Sequence, residues 1–138
     1  MKGDDVLAFD LDSNPIRIVI GEAKFRKTPS REVVEEIIAA LAKSQRARVP
    51  VSLQFVADRL FSEGQEELGK KVESCNLQFA LGQLRLDHVG LLVSDTNAAT
   101  HVRRNAKTDL HRLAVISLGL SDPESTVSQC YDGLEGVS

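Results

Sequence analysis

Three residues near the amino terminus have the types and spacing that metal-assisted hydrolysis requires: Asp5, Glu22 and Lys24. Glu22 and Lys24 stand two apart in residues 16–25 (IRIVIGEAKF), a β-branched run that reads as a strand. Side chains alternate across a strand, so Ile16, Ile18, Ile20, Glu22 and Lys24 share one face. An acid and a base thus end an otherwise apolar stripe, at the carboxyl end of the strand where α/β sheets commonly bind ligands. Residues 5–11 (DVLAFDL) read as a preceding strand, and Asp12-Ser13-Asn14-Pro15 as the turn between them. A two-residue loop at Ser13-Asn14 puts Asp5 directly opposite Glu22, with Cβ atoms roughly 5 Å apart. A three-residue loop puts Asp4 there instead. Asp10 and Asp12 lie roughly 15 to 20 Å from Glu22 at about 3.3 Å per residue, which excludes them.

Two apposed carboxylates repel unless a proton or a cation sits between them. Oxygen ligands suit Mg²⁺ or Mn²⁺ rather than zinc, and the backbone carbonyl of Ala23 can supply a further oxygen. Such an ion lowers the pKa of bound water and neutralises charge on a phosphate, while Lys24 orients the water and stabilises the transition state. The plainer alternative for Glu22 and Lys24 is an exposed salt bridge of little energetic worth. Arg26 and Lys27 extend the basic strand end, and Arg103, Arg104, Lys107 and Arg112 form a second basic region. Either group can position phosphates, or be simply solvated. Residues 64–70 (GQEELGK) mimic a phosphate-binding loop, but Lys71 stands where Ser or Thr is needed and no strand precedes it. His88, His101 and His111 have no metal-ligand spacing and read as structural or surface residues.

The elements that must hold these residues follow from periodicity. Thr28-Pro29 opens a helix whose stripe is Val33, Val34, Ile37, Ile38 and Leu41, ending at Pro50. Ser52 caps a second helix, and a third spans about residues 65–81. Residues 86–93 (LDHVGLLV) and 110–120 (LHRLAVISLGL) read as strands joined by a long polar loop. A short helix begins at Asp122-Pro123-Glu124. The order β-β-α-α-α-β-β-α implies an antiparallel hairpin, a crossover and a mixed sheet. The 138 residues fit one domain, and the net charge of −3 excludes a protein coated in positive charge without excluding a nucleic-acid site. Cys75 and Cys130 read as ordinary thiols, and no signal or membrane-spanning run is present, so the cytoplasm is expected.

The pattern GDDVLAF followed by IRIVIGEAKF resembles the core motif of the PD-(D/E)xK superfamily. That resemblance implies a restriction-endonuclease-like α/β fold and a metal-dependent nuclease hydrolysing DNA phosphodiester bonds. Asp5 and Glu22 would be metal ligands and Lys24 the catalytic lysine. It implies a single nuclease-like domain over residues 1–138, without the amino-terminal helix that superfamily members usually have. The GEAKF strand, the helical segment and the two late strands are also similar to the carboxy-terminal part of the Hachiman anti-phage effector nuclease family. That second resemblance implies a defence role beside a helicase partner. DNA is the expected ligand, and a homodimer is compatible with a chain that starts so near Asp5. A non-catalytic nuclease-like subunit and a plain scaffold are the competing classes.

Overall fold

The computed structural model describes residues 5–132 and is a mixed α/β structure. Strand β1 (Val6–Asp10) turns into β2 (Arg17–Phe25), followed by α1 (Arg31–Lys43), a π-helical turn (Ser44–Arg48), α2 (Val49–Ser62) and α3 (Glu66–Ala80). Strand β3 (Arg85–Ser94), α4 (Ala99–Asn105), β4 (Leu113–Gly119) and α5 (Pro123–Asp132) complete the order. The sheet order is β1-β2-β3-β4, with β1 antiparallel to β2 and both later pairs parallel. The expected hairpin, crossover and mixed sheet are therefore present. No helix among the described residues is long and apolar enough to cross a membrane.

Alternation assigns the two sheet faces. Ile18 and Ile20 of β2 are fully buried against Val49, Leu53 and Ala57 of α2 and Val72 and Cys75 of α3. The five apolar residues expected to line α1 are all buried, and they pack with Leu92 of β3 and Ala98. Register pairs Ile18 with Leu86, Ile20 with His88, Glu22 with Gly90 and Lys24 with Leu92, so these eight residues share the helix-covered face. On the opposite face Val6 and, across the sheet in β4, Ile116 and Leu118 stay roughly half exposed.

Three local expectations are corrected. Helix α1 begins at Arg31 with Ser30 at the N-cap, not at Thr28-Pro29. Pro50 does not stop a helix: it sits in the first turn of α2, directly after the π-helical turn. Ser52 consequently lies inside α2 rather than capping it. The polar loop after β3 contains α4. Its Ala98 N–H donates to Ser117 Oγ at 2.8 Å and its Ala99 N–H to Asn97 Oδ1 at 2.8 Å. Ala98, Val102 and Ala106 recur every fourth residue and pack on the α1 cluster.

Gly90 sets how closely α1 approaches the sheet. A Cβ there would lie 2.6 Å from Ile37 Cγ2 and 3.4 Å from Val115 Cγ2. Gly90→Ala therefore pushes α1 outward, and overpacking of this kind costs about 1–3 kcal/mol. Urea denaturation should show a lower midpoint with an unchanged slope; an unchanged midpoint would mean that Ile37 yields freely.

Candidate active site

The hairpin register decides which acid meets Glu22. Val6 pairs with Gly21 and Asp10 with Arg17, which continues to Asp5 opposite Glu22. This is the register of a two-residue turn, although ladder pairing stops at Asp10 and Arg17 and leaves a longer connection between them. Asp4 lies outside the described residues. Asp5 is exposed, and its Oδ2 accepts a hydrogen bond from the Ala23 N–H at 2.9 Å. A strand residue points its N–H and C=O to the same edge, so the Ala23 carbonyl also faces the Asp5 side.

Glu22 is 9% exposed and Lys24 Nζ donates to its Oε1. The pair is not the exposed salt bridge of the plainer reading, because the Glu22 side chain sits below α1 beside Gly90. A carboxylate this buried requires a charged partner or a cation. Lys24 fulfils that need and remains partly exposed, so it can reach from the carboxylate toward solvent. Asp5, Glu22 and the Ala23 carbonyl form a set of hard oxygen donors at one strand end, with Lys24 adjacent. Among the described residues, no group of three or more His, Cys, Asp or Glu side chains could hold a metal.

The basic residues divide. Arg26 donates to Glu36 Oε2 at 3.0 Å and to the Phe25 carbonyl at 2.9 Å, which fixes it beside α1. Lys27 is exposed at the same strand end. Arg103 and Arg104 occupy the last turn of α4, a separate element from the β2 end, and their charges favour a helix carboxyl terminus. Arg112 is drawn instead toward Asp87, its Nε 3.9 Å from Oδ1.

Two features had no local signal in sequence. Buried Asp87 accepts from Arg17 Nε at 2.5 Å and from Arg85 at 3.1 Å, gathering cations separated by about half the chain. Only the parallel pairing of β2 with β3 brings Arg17 beside Arg85. His88 is buried with Nδ1 3.0 Å from the His111 carbonyl, so its structural reading holds only for that nitrogen. Nε2 has no partner among the described residues.

Comparison with known proteins adds the following. The sequence model of the family described as HamA matches residues 1–134. The Hachiman protein HamA of Bacillus cereus is 36% identical over 137 residues, covering 98% of this chain and 48% of that protein. The chain thus spans about half the length of this curated relative.

The Asp87 cluster predicts an acid response. Its hydrogen bond from Arg85, then that from Arg17, hold the carboxyl below the usual carboxylate range against the opposing effect of burial. A depressed folded pKa contributes stability that is complete above the unfolded value, about 3.9, and is lost as pH falls through the folded one. Asp87→Asn should be less stable than wild type at neutral pH, and the gap should narrow below about pH 4. Urea titrations at stepped pH check this; a gap that stays constant into acid would remove the ionic explanation.

Proposed function

The chain belongs to the HamA family, and from that footing we propose that it is a metal-dependent nuclease hydrolysing DNA phosphodiester bonds in anti-phage defence. The observation that carries this reading is the buried Glu22 carboxylate, placed opposite Asp5 and joined to Lys24 on one strand face. The PD-(D/E)xK pattern of acid, acid and lysine is what this geometry matches. Asp5, Glu22 and the Ala23 carbonyl would hold Mg²⁺ or Mn²⁺, since all three offer hard oxygen donors. When bound, the ion supplies Lewis acidity and neutralises phosphate charge.

The chain's own residues would do the rest. Lys24, relieved of neutralising Glu22 alone, presents its ammonium to the attacking water or to a phosphoryl oxygen. Exposed Lys27, with Arg103 and Arg104 as the second basic group, would hold the phosphate backbone without reading sequence. The placement of Asp5 against the Ala23 N–H keeps one carboxylate oxygen engaged and leaves the other for the ion.

A second reading is a nuclease-like subunit without activity that binds DNA or a helicase partner. It is favoured by the Glu22–Lys24 pair, which is already neutral, and by Arg26, already committed to Glu36. A homodimer and a cytoplasmic setting are compatible with both.

Plasmid and linear DNA incubated with Mg²⁺, Mn²⁺ or chelator separate these readings. We expect metal-dependent cleavage that falls at least about a hundredfold in Glu22→Ala and in Lys24→Ala. Cleavage surviving in both variants would reject the residue assignment. Retained DNA binding with no cleavage under any metal would favour the subunit.

A further inference from the structure

A second site lies on the same sheet face, at the other end of the strands. The π-helical turn, the end of α3 and the entries to β3 and β4 enclose a cavity of about 390 Å³. That volume is within the range of small-molecule pockets, roughly 300–1,000 Å³. Phe79, Leu84, Leu86, His88, Gln45 and Arg46 line it.

The polar atoms in this cavity have a definite chemistry. A carbonyl can only accept, so the His88 nitrogen facing the His111 carbonyl, Nδ1, carries a proton. Burial holds His88 below its usual pKa, so the ring is neutral and Nε2 keeps a lone pair. His88 is only 2% exposed and Nε2 has no partner among the described residues. Gln45 Oε1 is a second buried acceptor without a partner on the same cavity. Two unpaired buried acceptors are costly unless a donor is supplied.

The surroundings narrow what that donor is. Arg46 is exposed and has no ion pair among the described residues. Arg112 reaches Asp87 only at 3.9 Å. Arg46 is thus the cation at this cavity without an ion pair among the described residues, and a guanidinium suits phosphate. Phe79 and the two leucines suit a flat, apolar body. The π-helical turn that presents Gln45 and Arg46 is a distortion found frequently at functional sites.

We infer that this cavity binds a nucleotide whose base carries an exocyclic amine. The amine donates to His88 Nε2 and Gln45 Oε1, the base lies against Phe79 and Leu84, and the phosphate meets Arg46. Adenine is the simplest such base, since one amino group offers two N–H donors. A free nucleotide and a nucleotide at the end of a strand share this chemistry. The site is independent of the Glu22 centre, because it uses none of its residues.

Titration calorimetry of the full chain with AMP, IMP, adenosine, ribose 5-phosphate and a short oligodeoxyadenylate tests it. AMP should bind at least about tenfold more tightly than IMP, whose carbonyl replaces the amine, and than ribose 5-phosphate. Gln45→Leu should erase the preference for AMP over IMP. Arg46→Ala should weaken AMP several-fold and leave adenosine unchanged. The ¹⁵N resonance of His88 Nε2 should shift on AMP addition, a direct readout that needs no substitution at a buried position. Tighter binding of the oligonucleotide, with the same sensitivity to both variants, assigns the site to a strand; tighter AMP binding assigns it to the free nucleotide. Binding of neither at millimolar concentration, or binding indifferent to the amine and to both variants, overturns the inference.

Discussion

The pairing of β2 on both edges is the constraint from which the rest of this structure follows. β1 holds it antiparallel and β3 holds it parallel over nine registered residues. Held on both sides, β2 cannot slip by one residue without moving Ile18 and Ile20 out of the core and Glu22 to the other face. The helices therefore read a fixed surface. α2 and α3 cover the apolar end, where Ile18 and Ile20 lie, and α1 covers the end where Glu22 and Lys24 follow. The glycine at position 90 completes this arrangement. It lets Ile37 of α1 approach the sheet at the residue paired with Glu22.

Burying that carboxylate has an electrostatic cost that its neighbours offset. The effective penalty for a buried ion is several kcal/mol, and a well-placed partner returns much of it. Lys24 is that partner, and the Ala23 N–H occupies Asp5 in turn. The same face thus brings a carboxylate of β2 and its lysine partner together with Asp5 at one strand end. A site of this kind can be stable and receptive at once, because the ammonium that stabilises it is long enough to swing away.

The strands and the hairpin were legible because their signals are local: alternation, β-branched residues and a turn cluster. The register was not legible, because the turn left both Asp5 and Asp4 possible opposite Glu22, and the pairing of Val6 with Gly21 decides it for Asp5. The helix junction was misread because Pro50 signals a stop and a start equally, and only packing decides that α1 and α2 join through a π-helical turn. Helix α4 was hidden because its seven residues carry only Val102 toward the core, with Ala98 and Ala106 just outside its ends. Asp87 and His88 were illegible for a different reason. Asp87 gains Arg17 from β2 and His88 gains the His111 carbonyl from the segment before β4, partners that β3 alone does not announce.

The two ends of the helix-covered face differ in what they lack. At the Glu22 end, acidic oxygens gather and one lysine meets them, and the proposed cation would complete that set. At the His88 end, buried acceptors stand unpaired beside Arg46, so the complement missing is a donor attached to an anion. Register separates them by little: His88 pairs with Ile20, and Glu22 is two residues further along β2. The π-helical turn lies between α1, which packs over Gly90, and α2, which covers Ile18 and Ile20. Gln45 and Arg46 of that turn border the cavity. One irregularity in the helical layer thus falls where the helices pass from one core cluster to the other on a single sheet face, and it carries the polar groups beside the cavity.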